Sequence, residues 1–321
     1  MKKRSVFLVA LLVLAIVGGT VFAGGQQDAG ADSPKVVGFS QCDSQQAWRW
    51  AETESVQGEA AVRGYELKYN DAQAVQANQI AAVRSFIAQG VDGIILAPQV
   101  MTGFGPVLQE AKDAGIPVVL VDRLVAEDED MYYTFIGSDF VWEGERMAEI
   151  VVEETGGKAR IAELQGTPGA DPTIDRKKGF ENIINDYPDM NIVLSQTGDF
   201  NRTKGKEVME AFLKAEGENI DVVYCHNDDM AIGAIQAIKE YGKDPGKDIL
   251  VYSIDGIKDA FQAMVDGDLN AVVECTPLLG PQAYDALEAA WAGEVLPKWV
   301  MSEDGIFLQK DAASIIDSRK Y

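Results

Sequence analysis

Asp122-Arg123 closes the apolar run Ile116-Pro-Val-Val-Leu-Val121, so a carboxylate and a guanidinium stand at the end of a buried strand. Such a pair offers acceptor oxygens beside a planar fork of donors, the chemistry that replaces water around hydroxyl groups. The pattern returns twice: Ile249-Leu-Val-Tyr-Ser-Ile254 ends in Asp255-Gly256, and Val222-Val-Tyr-Cys225 ends in His226-Asn227-Asp228-Asp229. In open α/β sheets, ligands sit in the crevice outside the carboxyl ends of the strands. Carboxylate, guanidinium and amide groups gathered there suit a small, neutral, hydroxyl-rich ligand. The competing reading of Asp122-Arg123 is a strand-end ion pair of structural use, which contributes little when exposed.

Further candidates lie near other element ends. Trp48 follows the first strand and offers a flat face to a ligand, or else packs in a core. Arg49 beside it is a cation at a helix N-terminus, where the macrodipole disfavours positive charge, so a ligand gives it a reason. Arg176 is placed similarly near a helix start, and Phe200 follows Gly198-Asp199 at a strand end. Asn227 and Asp255 close the second rim, with helix capping as the alternative role. Catalytic signatures are missing. The single histidine, His226, lies beside acids, and neither G-x-S-x-G nor a phosphate loop of the G-x-x-x-x-G-K-[ST] type is present. Gly166-Thr-Pro-Gly169 reads as a strand-to-helix turn, and the acidic run Ala126-Glu-Asp-Glu-Asp130 lacks the spacing of a calcium loop. Cys42, Cys225 and Cys275 form neither a disulfide framework nor a metal-ligand spacing and read as small, buried, unpaired residues. Trp291 and Trp299 read as core.

Periodicity supplies the elements that carry these groups. Strands are predicted at 35–40, 65–69, 92–97 and 116–121, separated by helices at 48–63, 74–89 and up to 114. A second series follows: strands at 160–164, 191–195, 222–225, 249–254 and 270–274, with helices at 176–186, 203–215, 230–241 and 258–265. Alternation of this kind means βαβ units and parallel sheets covered on both faces. Residues 83–98 and 208–227 share one order of helix, Gly, apolar-Asp and apolar strand, which favours two similar α/β lobes over one large sheet.

Residues 1–23 read as a secretory signal peptide: Lys2, Lys3 and Arg4 precede an apolar run that is short for a bilayer span, and Val21-Phe-Ala23 offers a cleavage site. Residues 24–34 read as a polar linker. The net charge of −23 disfavours binding to nucleic acid or anionic membrane surfaces. A hydrophobic content of 47% is ample for cores, and the chain is long enough to need two.

Val121-Asp-Arg123, Gly137-Ser-Asp139, Glu163-Leu-Gln-Gly-Thr167, Asp175-Arg-Lys-Lys-Gly-Phe180, Gly198-Asp-Phe200, Asn227-Asp-Asp-Met230 and Ser253-Ile-Asp-Gly256 occur in this order, with Thr276-Pro277 after them. On these residues the chain resembles, over about 36–321, the periplasmic sugar-binding proteins of ABC importers in the ribose- and galactose-binding class. Gly38-Phe-Ser-Gln41, Ala47-Trp-Arg49, Asn78-Gln-Ile80 and Gly205-Lys-Glu-Val-Met-Glu210 are most similar to the galactofuranose binders of that class. The loop Cys42-Asp-Ser-Gln-Gln46 departs from them.

The resemblance implies a type I periplasmic binding protein fold, two doubly wound parallel-sheet lobes joined by a three-segment hinge. One lobe would take 35–137 plus 277–303, the other 138–276 plus 304–321. It implies a ligand site of Trp48, Arg49, Asp122, Arg123, Arg176, Phe200, Asn227 and Asp255, with Gln45 from the loop before Trp48 and Cys275 at the last strand's end. It further implies a monomeric, exported protein that captures a monosaccharide by hinge closure and passes it to an ABC-transporter membrane permease, with no cofactor, no metal and no catalysis. The rivals are a sugar sensor of the same fold, an exported sugar-modifying enzyme, and a repressor with the same core.

Overall fold

The computed structural model describes residues 34–321, which form one compact unit. The expected signal peptide and all of the expected linker before Pro34 lie outside the described residues. The chain runs β1 (Val36–Gln41), α1 (Ala47–Arg63), β2 (Glu66–Asp71), α2 (Gln76–Gln89), β3 (Gly93–Leu96), α3 (Gly105–Asp113), β4 (Val118–Val121) and β5 (Thr134–Gly137). It continues through α4 (Phe140–Thr155), β6 (Lys158–Gln165), α5 (Asp171–Ile184), β7 (Asp189–Thr197), α6 (Arg202–Glu216), β8 (Val222–Cys225), α7 (Asp228–Tyr241), β9 (Leu250–Asp255), α8 (Lys258–Asp266) and β10 (Ala271–Glu274). Last come α9 (Gly280–Ala292), β11 (Trp299–Met301), β12 (Ile306–Leu308) and the short α10 (Ala312–Ile315).

These strands build two six-stranded sheets, ordered β11-β5-β4-β3-β1-β2 and β12-β10-β9-β8-β6-β7. Every pairing is parallel except β10 with β12. Runs such as Val118–Val121 and Val222–Cys225 are buried throughout, as strands covered on both faces must be. The matched segments 83–98 and 208–227 deliver β3 and β8, which hold the same place in the two sheets.

The chain passes between the sheets three times. After β5 it enters α4, which packs on α5 beside the second sheet; after β10 it enters α9, which packs on α1 beside the first. Between β11 and β12 it crosses once more.

Several sequence expectations need correction. The periodicity reading leaves out α4 and α9, the strand β5 and also the short edge strands β11 and β12. The second helix begins at Gln76 rather than 74, because Gln73 and Ala74 take left-handed backbone angles (φ 55° and 58°). The helix carrying Arg176 begins at Asp171, where Pro172 fits the first turn, so Arg176 stands in its second turn and not at its start. Trp299 is not core: it lies on an edge strand, 40% exposed, with its indole N–H donating to the Gly137 carbonyl. Trp291 is half-buried and donates to the Asp92 carbonyl. Asn201 caps α6 by accepting from the Lys204 N–H.

The α4–α5 contact is close enough to demand glycine. A Cβ on Gly179 would stand 2.0 Å from the Val141 carbonyl oxygen, a backbone atom with no freedom to move aside. Gly179→Ala should therefore cost at least ~1–3 kcal/mol in urea unfolding. Gly58→Ala, on the open face of α1 with nothing within 4 Å, should be neutral or stabilising by up to ~1 kcal/mol. Equal stabilities for the two variants would refute this account of the helix contact.

Candidate ligand-binding site

The carboxyl ends of strands from both sheets converge on one cavity with about 270 Å³ of empty volume. Its walls are Trp48, Arg49, Asp122, Arg123, Arg176, Phe200, Asn227, Asp255 and Cys275, together with Gln46 and Pro172. Nine of the ten candidates thus come together. Gln45 does not: its side chain is exposed, because Asp43 Oδ1 accepts the Gln45 N–H at 3.0 Å and turns the loop. The turn leaves Gln46, the residue preceding α1, against the cavity.

Two aspartates define the rim. Asp122 follows β4 and Asp255 ends β9, and both have positive φ, 60° and 129°. Non-glycine residues rarely occupy such angles, and they persist where surrounding bonds fix them. Asp228 supplies those bonds for Asp255: its carboxylate accepts from the Gly256 and Ile257 N–H groups at 2.7 and 2.8 Å and from the Ser253 hydroxyl.

Three guanidiniums face this rim, each 2–3% exposed. Arg49 pairs with Asp122 and, at 2.9 Å, with Glu52 three residues along α1. Arg123 lies 3.5 Å from Asp122 and donates to the Gln99 carbonyl at 2.9 Å. Arg176 donates to Glu143 at 2.7 Å and to the His226 carbonyl at 2.6 Å, and stands 3.5 Å from Asp255. Burial opposes charge on Arg49 and Arg176, but the carboxyls around them outweigh it and hold both firmly protonated. The same burial raises the acids. Glu143 is pushed up to about 7 against the pull of Arg176, and Asp255 rises well above the usual carboxylate range.

Aromatic faces complete the lining. The Arg49 guanidinium lies 4.7 Å from the Trp48 ring centre, while Arg123 and Arg176 lie 5.5 and 5.9 Å from that of Phe200. Phe200 reaches this position through φ 57° and by running over Gly166, where a Cβ would meet the ring at 1.9 Å. Trp48 packs with the core beside the second sheet, its N–H donates to the Cys275 carbonyl, and its side chain still lines the cavity. Asn227 caps α7, accepting from the Met230 N–H and donating to the Phe200 carbonyl, and still lines the cavity. The three cysteines are buried and free.

Glu52, Glu143, Gln46 and Pro172 are the residues that the sequence reading missed. The i,i+3 spacing of Arg49 and Glu52 was a readable signal. Glu143 had none, being 33 residues from its partner. Among the described residues, no group of three or more His, Cys, Asp or Glu is placed to hold a metal ion, and no helix is long and apolar enough to cross a membrane.

A model described as a periplasmic binding protein domain matches residues 37–294, and the chain belongs to that family. It is 51% identical over 293 residues to the galactofuranose-binding protein YtfQ of Escherichia coli, covering 90% of this chain and 92% of the relative. Two solved structures are similar. One is the binding component of the arabinose ABC transporter of Shewanella, bound to α- and β-L-arabinofuranose: 52% identity, TM-score 0.87, covering 89% of this chain and 96% of that one. The other, from Mycobacterium smegmatis, is in complex with β-D-fucofuranose: 48% identity, TM-score 0.87, covering 89% and 95%.

His226 sits behind the cavity, fully buried, with Nε2 3.2 Å from Glu163. Burial lowers its pKa below the usual value despite that neighbour. The unfolded chain therefore takes up a proton as pH falls through about 6.5 while the fold resists it, so acid removes stability. Wild-type unfolding free energy should fall more steeply from about pH 7 to about pH 5 than that of His226→Gln. Parallel profiles for the two proteins would show that His226 titrates normally.

Proposed function

We propose that the cavity holds one neutral furanose ring, galactofuranose foremost, and that the protein carries it outside the cytoplasm, as a monomer, to the membrane permease of an ABC importer. The observation that carries this reading is the paired state of the guanidiniums. Each of Arg49, Arg123 and Arg176 already has a carboxyl within 3.5 Å, so no unmatched cation awaits a phosphate or carboxylate. Donor capacity nevertheless remains: among the described residues, Arg49 Nε is buried without an acceptor, and Arg123 Nε stands 3.5 Å from Asp122 without a hydrogen bond to it. Hydroxyl and ring oxygens supply acceptors without charge. Trp48, Phe200 and Pro172 give the C–H faces of a ring their apolar surface. The names of the relatives, each tied to a furanose, support the same class of ligand.

Galactofuranose is favoured within the class because its polyhydroxylated side arm adds acceptors for a donor-rich wall. A ring without that arm leaves donors dry, at ~1–3 kcal/mol for each. In thermal-shift and calorimetric titrations, corrected for the furanose fraction of each sugar, D-galactose should bind most tightly, then L-arabinose, then D-ribose. Ribose as the tightest ligand would overturn the galactofuranose assignment, and no binding by any of the three would overturn the furanose reading. Asp122→Ala should weaken binding by at least about 100-fold, since Arg49 and Arg123 lose a shared buried partner. An unchanged affinity would remove the pair from the site.

A further inference from the structure

The three cavity guanidiniums are held in different ways. Arg49 is paired with Glu52 of its own helix and with Asp122 after β4, and Arg123 lies beside the same Asp122. Arg176 takes its close carboxylate from α4 instead. Glu143 lies in the first turn of α4, the helix that the chain enters on leaving the first sheet after Gly137. It is completely buried, and its Oε2 accepts from Arg176 Nε at 2.7 Å. The approach is enforced by Gly144, where a Cβ would stand 2.3 Å from the Arg176 carbonyl oxygen.

The three chain passages between the sheets also meet one another just before α4. Ser138, on the first passage, contacts the Cys275 thiol at 3.4 Å and the Ser302 hydroxyl at 3.0 Å. Ser302 donates to Asp304 on the third passage, and Asp304 accepts from the Thr276 N–H on the second at 2.8 Å. Glu143 stands five residues after Ser138, in the first turn of the helix that continues the first passage. One carboxylate thus ties the guanidinium that lines the cavity to the helix that leads directly out of the joined passages.

We propose that Glu143 is a positioning residue that couples Arg176 to the three passages, so that ligand seated on Arg176 sets the angle between the two halves of the molecule. This rests on the sugar-binding reading above. Glu52 holds its arginine without any such link, so it provides the comparison.

The test uses the whole exported chain and D-galactose, with L-arabinose as second probe. Calorimetry gives the affinity, and solution scattering at saturating sugar gives the change in radius of gyration. Glu143→Ala should weaken binding by about 10-fold or more and reduce the sugar-induced compaction even at saturation. Glu143→Gln keeps the acceptor and should fall between that variant and wild type; should the alanine variant not fold, the glutamine variant alone decides. Glu52→Gln should weaken binding yet compact as fully as wild type once saturated. Full compaction in the Glu143 variants, whatever their affinity or melting temperature, overturns the coupling, as does an equal compaction defect in Glu52→Gln. A wild-type protein that binds neither sugar overturns the furanose reading itself and this inference with it.

Discussion

A guanidinium cannot shed its proton inside a protein, so each arginine taken into a closed cavity must bring a counter-charge. An uncompensated buried ion costs several kcal/mol, and truncating one partner of a buried pair exposes that cost. Three guanidiniums at 2–3% exposure set the terms for much of this structure. Arg49 fixes how α1 meets the end of β4, because its fork must reach both Glu52 and Asp122. Arg176 fixes how α4 lies on α5, because Glu143 must reach it through a contact that only glycines permit. The left-handed turn at Asp122 follows from the same requirement, and it brings Arg123 over Phe200 from the other half.

The two halves answer that requirement with one plan. From the second strand inward, the sheets read β5-β4-β3-β1-β2 and β10-β9-β8-β6-β7. Arg49 and Arg176 ride on the helices after β1 and β6, which occupy the same place, and Asp122 and Asp255 terminate β4 and β9, which do too. Even α4 and α9 are exchanged alike, each leaving one sheet to pack beside the other. The symmetry fails at the cavity wall. Asp122 is followed by Arg123, whereas Asp255 is followed by Gly256; the second half contributes Phe200 and Asn227 instead. A monosaccharide has no twofold axis, so a symmetric pair of walls would fit it poorly.

Much of this was legible in the residues, for identifiable reasons. Buried parallel strands are continuous apolar runs, and their ends are marked by the first charge, which is why Asp122, Arg123, Asn227 and Asp255 stood out before any coordinates. Arg49 was visible as a cation in the wrong place on a helix dipole. What stayed hidden was non-local. Glu143 looks like any surface glutamate on an amphipathic helix until α4 is laid on α5, and α4 itself was not assigned. Edge strands of three residues carry too few side chains to show a period, so β11 and β12 gave no signal and Trp299 was read as core. Gln45 and Gln46 are adjacent and chemically identical, and only the Asp43 turn decides which one faces inward.

The equivalent aspartates are not electrostatically equivalent, and that difference orients a ligand. Asp122 lies against two guanidiniums, Arg49 and Arg123, and is suited to act as an acceptor from sugar hydroxyls. Asp255 is approached by Arg176 only at 3.5 Å, while Asp228, Glu143 and Asp229 crowd it with like charge. Burial and that crowding favour a retained proton, which turns one carboxyl oxygen into a donor. A hydroxyl facing Asp122 must donate, whereas an oxygen facing Asp255 is free to accept, and a ring oxygen, which has no proton to give, satisfies only the second. A ring with its hydroxyls towards Asp122 and its ring oxygen towards Asp255 would meet complementary groups on both sides, whereas the reversed ring would set an acceptor against an acceptor at Asp122.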